Sequence, residues 1–164
     1  VSPIRRILNQ LIDAANISSG PSQWAQYYYW KALAVPEEVA SVDPTLSALR
    51  EKRDFKMGIL QAAPNSCYMW HVDVDRRCGI NMLVRDDGQS KCVFTPKLGI
   101  IVPTVELKYE PDTLYAFNTK ILHTVFNFSE PRYMFSVEFI GKDKGISYSQ
   151  LCADLADLAV STGS

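Results

Sequence analysis

Histidine is scarce in this chain, with 2 in 164 residues, so imidazole chemistry falls to His71 and His123 alone. Other absences narrow the field further. No apolar run approaches the ~20 residues of a membrane-spanning helix, and no charged-then-apolar leader opens the chain, so a cytoplasmic protein with no membrane partner is expected. Basic charge is not in excess: 17 Lys and Arg against 18 Asp and Glu leave a formal net charge of −1. That balance supplies no field for a nucleic-acid backbone. The cysteines Cys67, Cys78, Cys92 and Cys152 form no CxxC pair and sit in apolar stretches. This is the pattern of reduced, buried thiols, not of a zinc site or a disulfide framework. Repeats and low-complexity tracts are lacking too, and 47% hydrophobic with 21% charged residues is an ordinary globular composition. A single domain over 1–164 is expected, large enough to bury roughly two-thirds of its unfolded surface.

What is present reads in three parts. In residues 1–54, Ser2 is a helix cap ahead of Pro3, and Ile4, Ile7, Leu8, Leu11, Ile12 and Ala15 recur on one helical face. Residues 23–35 carry Trp24, Tyr27, Tyr28, Tyr29 and Trp30, a composition that favours a strand and a spacing that tolerates a helix. This aromatic cluster is expected to pack against the body of the domain. Asp43-Pro44 opens a second, short helix. From 55 to 140 the texture changes to eight short runs, about 55–61, 67–73, 77–84, 90–95, 100–107, 113–117, 121–127 and 132–140. Asp86-Asp87-Gly88 suits a hairpin turn, and Pro103 places the fifth run at an edge or a bulge. A helix over 146–161 follows, capped by Ser147 or Ser149. Eight strands with helices at both ends fit a sandwich, an up-and-down barrel or a jelly roll, and periodicity alone does not choose among them.

The candidate ligands choose. His71 and Asp73 lie two apart, so on an extended segment both side chains share one face. His123 arrives about fifty residues later from another run. Two imidazoles and one carboxylate with open positions beside them form the ligand set typical of non-haem iron(II). Arg132, nine residues beyond His123, presents a guanidinium fork suited to holding a carboxylate bidentately. A lone histidine in an apolar run is usually a hydrogen-bonded core residue. A buried carboxylate and arginine beside two histidines are costly without a shared partner.

His71-Val72-Asp73, Arg77-Cys78, the run Pro111-Asp112-Thr113-Leu114-Tyr115-Ala116-Phe117-Asn118 before His123, and Arg132-Tyr133 together resemble the iron(II)- and 2-oxoglutarate-dependent oxygenases, in their prolyl-hydroxylase-like branch. The resemblance covers about residues 55–140. It implies a mainly β, double-stranded β-helix (jelly-roll, cupin-like) core with flanking N- and C-terminal α-helices. It also implies iron(II) held by His71, Asp73 and His123, with 2-oxoglutarate clamped through its distal carboxylate by Arg132. Dioxygen, and a small-molecule or peptide substrate, complete the reaction that it implies: hydroxylation of an unactivated C–H bond with 2-oxoglutarate decarboxylated to succinate. Ser136, four residues after Arg132, is expected to add a hydroxyl to the cosubstrate carboxylate. Asn81, or else the alternating set of Met82 and Val84, is expected to line the pocket. The tyrosine that many such enzymes place on this strand is not evident, and Tyr68 and Tyr115 are the expected substitutes.

Two other classes fit the same residues. One is a cupin-like protein that binds a metal or small ligand without oxygenase turnover, such as an isomerase or a sensor. The other is a β-sandwich used for protein interaction, against which the intact ligand set argues. Arg76 and Arg77 are expected at the mouth, where they either contact an anionic substrate or form a solvated pair.

Overall fold

A computed structural model describes residues 1–162, so the last two residues of the expected 1–164 domain lie outside the described residues. Each of the three α-helices starts where a side chain satisfies a free backbone N–H group. Ser2 Oγ accepts from the Arg5 N–H (3.3 Å) and opens α1, Pro3–Ile17. Asp43 Oδ1 accepts from the Leu46 N–H (3.0 Å) and opens α2, Pro44–Lys52. Ser147 Oγ accepts from the Gln150 N–H (3.2 Å) ahead of α3, Tyr148–Thr162. The apolar face of α1 is the expected one, with Ile4, Leu8, Ile12 and Ala15 buried. Among the described residues no helix is long and apolar enough to cross a membrane.

The aromatic segment whose type the spacing leaves open is a hairpin, β1 (Ala25–Tyr27) and β2 (Trp30–Val35), turning through Tyr28 at φ +51°. Eight further strands fall on the eight expected runs: β3 (Phe55–Ala62), β4 (Ser66–His71), β5 (Cys78–Arg85), β6 (Lys91–Thr95), β7 (Val105–Glu106), β8 (Tyr115–Asn118), β9 (Leu122–Asn127) and β10 (Arg132–Phe139). They form a large sheet in the order β1-β2-β3-β10-β5-β8 and a small one in the order β4-β9-β6-β7. Every pairing is antiparallel. From β3 onward the chain passes back and forth between the two sheets, which is the winding of a double-stranded β-helix. The fold is thus mainly β, a jelly roll with flanking helices.

Two local expectations differ. Asp86-Asp87-Gly88 turns the chain, with Gly88 at φ +76°, but it joins β5 in one sheet to β6 in the other and closes no hairpin. The run 100–107 is strand only at Val105–Glu106, because Pro103 has no N–H to give to a ladder and β7 pairs on one side only, with β6.

The large sheet divides its residues by parity. On β10, Tyr133, Phe135, Val137 and Phe139 join the core under the three helices, so Arg132, Met134 and Ser136 point between the sheets. Met82 and Val84 likewise belong to the helix-side core, which leaves Asn81 facing inward. The inter-sheet core is small, built on Trp30, Ala62, Cys92, Phe117 and Val125. The helices therefore supply the main apolar burial, and the space between the sheets is free to hold polar groups.

Candidate metal centre and anion pocket

His71 closes β4 directly opposite His123 on β9. Between this pair and the Tyr68–Val125 pair the register shifts, three steps along β4 matching two along β9. This bulge cancels the parity change that an odd spacing imposes, so Tyr68 and His71 both face the interior. Tyr68 stacks on the His71 ring at 3.7 Å between centroids and 24° between planes.

Asp73 lies just past the strand end. Its N–H donates to the Thr119 carbonyl (3.0 Å), and the Lys120 ammonium donates to the Asp73 carbonyl (2.6 Å). The connection between β8 and β9 thus holds the segment extended beyond His71, and the shared face expected for His71 and Asp73 results. Asp73 Oδ1 is 3.5 Å from His71 Nε2 and 3.7 Å from His123 Nε2. One donor atom from each of the three residues lies within 4.8 Å of the others.

The tautomers follow from the backbone. His71 Nδ1 is 2.6 Å from the Met69 carbonyl and His123 Nδ1 is 2.8 Å from the Ile121 carbonyl. A carbonyl only accepts, so each Nδ1 carries the hydrogen and each Nε2 lone pair is directed at the shared point. Burial pushes the His123 imidazole below its ordinary value, which favours the neutral form that a metal needs. Two imidazoles and a carboxylate are donors of the borderline type that suits iron(II), and the site fits such an ion.

Arg132 opens onto the same cavity, of about 130 Å³, whose walls also include His71, Asp73, Tyr68, Asn81 and Tyr109. The guanidinium is 2% exposed, and its Nε donates to Ser90 Oγ (3.1 Å). Among the described residues no carboxylate pairs with it. Tyr109 stands beside it, with the guanidinium carbon 5.6 Å from the ring centre. Burial raises the Tyr109 phenol, which stays protonated. Its buried hydroxyl, next to Arg132 and Cys92, has no partner at hydrogen-bonding geometry. A buried cation without a counter-ion and an unpaired hydroxyl at one end of a cavity fit an incoming carboxylate.

The remaining expected residues distribute as follows. Asn81 is on the cavity wall. Ser136 faces inward but accepts from Arg76 Nη1 (3.1 Å) and is not on the wall shared by Arg132 and His71. Tyr115 is not on that wall either. Its hydroxyl accepts from the Glu110 N–H (2.8 Å) and its ring meets the Tyr109 ring edge-on at 5.3 Å, so it supports Tyr109 from behind. The tyrosine on the cavity that sequence reasoning missed is therefore Tyr109, and the available signal was the period-two spacing of Leu107 and Tyr109 after β7. Arg76 turns inward to the Asp73 carboxylate, while Arg77 faces solvent. The aromatic cluster splits: Trp30 enters the inter-sheet core, Trp24 meets Tyr133 at 5.9 Å, and Tyr28 and Tyr29 stay exposed at the mouth.

No family model matches the chain, and no curated protein does. Solved structures do. A prolyl-4-hydroxylase from Pseudomonas putida aligns with TM-score 0.60 at 10% identity, over 83% of this chain and 84% of that one. SnoK, a non-haem alpha-ketoglutarate-dependent carbocyclase of nogalamycin biosynthesis, aligns with TM-score 0.59 at 11% identity, over 93% and 83%. SnoN, a non-haem alpha-ketoglutarate-dependent epimerase from the same biosynthesis, aligns with TM-score 0.54 at 12% identity, over 82% and 70%. At these identities the likeness establishes a shared fold.

Proposed function

We propose that this protein is an iron(II)- and 2-oxoglutarate-dependent oxygenase that hydroxylates an unactivated C–H bond. The observation that carries the proposal is a His71–Asp73–His123 donor set, two of whose members line the cavity, together with a buried Arg132 on the same cavity that has no carboxylate partner among the described residues. The fold shared with two enzymes described as alpha-ketoglutarate-dependent supports it.

When bound, iron(II) with 2-oxoglutarate and dioxygen supplies the oxidising chemistry, in which a C–H bond becomes C–OH as 2-oxoglutarate becomes succinate and carbon dioxide. His71, Asp73 and His123 would hold the metal, each offering one ligand atom. Arg132 would take the distal carboxylate of 2-oxoglutarate through its guanidinium, and the Tyr109 hydroxyl would donate to the same group. Tyr68, stacked on His71, fixes that ring's tilt. Phe94 and Phe117, 5.6 and 5.1 Å from the His123 ring, exclude water behind it. A small molecule or a peptide side chain enters past Tyr27 and Tyr28.

Anaerobic titration tests the proposal. Iron(II) and 2-oxoglutarate together are expected to give a visible charge-transfer band that neither gives alone and that His71→Ala abolishes. A folded protein that binds iron but shows no band with 2-oxoglutarate overturns it in favour of a cupin-like metal binder without oxygenase turnover.

A further inference from the structure

We propose that Arg76 is a positioning residue of the metal centre, dividing the two oxygens of Asp73 so that this carboxylate binds the metal through one of them. The inference rests on the metal-centre reading above and goes beyond the three ligands.

Asp73 Oδ1 faces both imidazole Nε2 atoms, while Oδ2 accepts from Arg76 Nε. Arg76 is itself held at two further points. Its Nη1 donates to Ser136 Oγ on β10 (3.1 Å), and its backbone carbonyl accepts from Thr119 Oγ1 (2.7 Å). The guanidinium reaches Ser136 by lying over Gly79, where a Cβ would sit 3.3 Å from Nη1. The absence of a side chain at residue 79 is thus the condition for this path. The neighbouring Thr119 carbonyl accepts from the Asp73 N–H (3.0 Å), so the connection between β8 and β9 fixes both ends of the Asp73–Arg76 segment.

A carboxylate chelates a metal with two oxygens only if both are free to turn toward it. A charge-assisted bond from a guanidinium, with the arginine and its carboxylate each 16% exposed, holds Oδ2 away. Asp73 then occupies one coordination position. Three remain open on the cavity side of a six-coordinate ion, enough for a chelating 2-oxo acid and one further ligand. Without Arg76, Oδ2 is free to take one of those positions, in competition with the cosubstrate.

Cobalt(II) is the probe, because its visible ligand-field spectrum reports coordination without turnover. Wild type, Arg76→Gln, Arg76→Lys and Ser136→Ala are titrated with cobalt(II), and the loaded proteins then with 2-oxoglutarate. In Arg76→Gln we expect an altered cobalt spectrum and a loss of about 10-fold or more in 2-oxoglutarate affinity, with thermal stability near wild type. Ser136→Ala is expected to shift both in the same direction, by about threefold in affinity. Arg76→Lys, which keeps the charge, is expected to restore much of the wild-type spectrum. Spectra and affinities in Arg76→Gln identical to wild type overturn the proposal. Where that variant does not fold, an unchanged Ser136→Ala overturns it. A wild-type protein that takes up no cobalt(II) brings down the metal-centre reading and this inference with it, a result distinct from either.

Discussion

His71 and His123 face each other across β4 and β9, their ring centroids 4.2 Å apart, because a one-residue bulge at Met69 and Trp70 re-aims the end of β4. Were β4 regular over this three-residue step, Tyr68 and His71 would lie on opposite faces of the small sheet. Met69 is 67% exposed. Deletion of Met69 makes the Tyr68–His71 spacing even and the strand regular, so His71 is expected to stay opposite His123, with iron(II) affinity within about threefold of wild type. A loss of ~10-fold or more in the deletion would show that the bulge itself, and not only parity, aims His71.

Arg132 and Tyr109 are expected to act on the cosubstrate and not on the metal. Arg132→Ala should retain iron(II) yet lose about 100-fold in 2-oxoglutarate affinity, as expected for a charge-assisted bidentate contact. Tyr109→Phe, which removes only the hydroxyl, should lose about fivefold. Isothermal titration of the manganese(II)-loaded proteins measures both. Wild-type affinity in Arg132→Ala would mean that the carboxylate clamp lies elsewhere.

Gly79 sits where two elements meet. A Cβ there would lie 2.9 Å from the Val137 carbonyl on the adjacent strand, closer than van der Waals contact allows, and 3.3 Å from the Arg76 guanidinium. Backbone cannot give way cheaply, so Gly79→Ala is expected to cost about 1–3 kcal/mol by urea denaturation. It should also perturb the cobalt(II) spectrum in the manner of the Arg76 variants. A stable Gly79→Ala with a wild-type spectrum would contradict both statements.

Asp143 is expected to govern acid stability. Its carboxylate accepts from the Asp54 N–H (2.8 Å) and from Arg53 Nη1 (2.9 Å), and Arg53 Nε also binds Asp154 (2.8 Å), tying the end of α2 to α3. The Asp54 N–H, and after it Arg53, hold the Asp143 carboxyl below its ordinary value. A value lower in the folded than in the unfolded chain stabilises the fold above the unfolded value, and that contribution fades as pH falls through the folded one. Thermal melts should therefore drop below about pH 4 in wild type. Asp143→Ala should flatten that part of the curve and cost about 1–3 kcal/mol at neutral pH. An unaltered pH profile in the variant would assign the acid sensitivity to other groups.

Much of the fold was legible because it rests on local rules. Ser2-Pro3 and Asp43-Pro44 mark helix starts through caps that span three residues. The apolar face of α1 follows from a 3.6-residue period. The strands are separated by turn residues whose backbone preferences are intrinsic, as at Gly88. The jelly roll itself came less from periodicity than from the ligand residues, since the same runs also suit other β architectures.

The sequence by itself determined which chemical groups are available and how they are spaced along the chain: two imidazoles, the Asp73 carboxylate and the Arg132 guanidinium. Tertiary structure alone decided that Tyr109 joins Tyr68 on the cavity while Tyr115 does not, that Arg76 turns inward while Arg77 does not, and that Ser136 is taken by Arg76. The reason is parity and register. Which face a strand residue occupies depends on bulges and on partners 40 to 60 positions away, as in Arg76 and Ser136 with |i−j| of 60 or Arg132 and Ser90 with 42. A period-two pattern cannot report a one-residue slip, and the slip between Tyr68 and His71 is what gives the metal site its second wall.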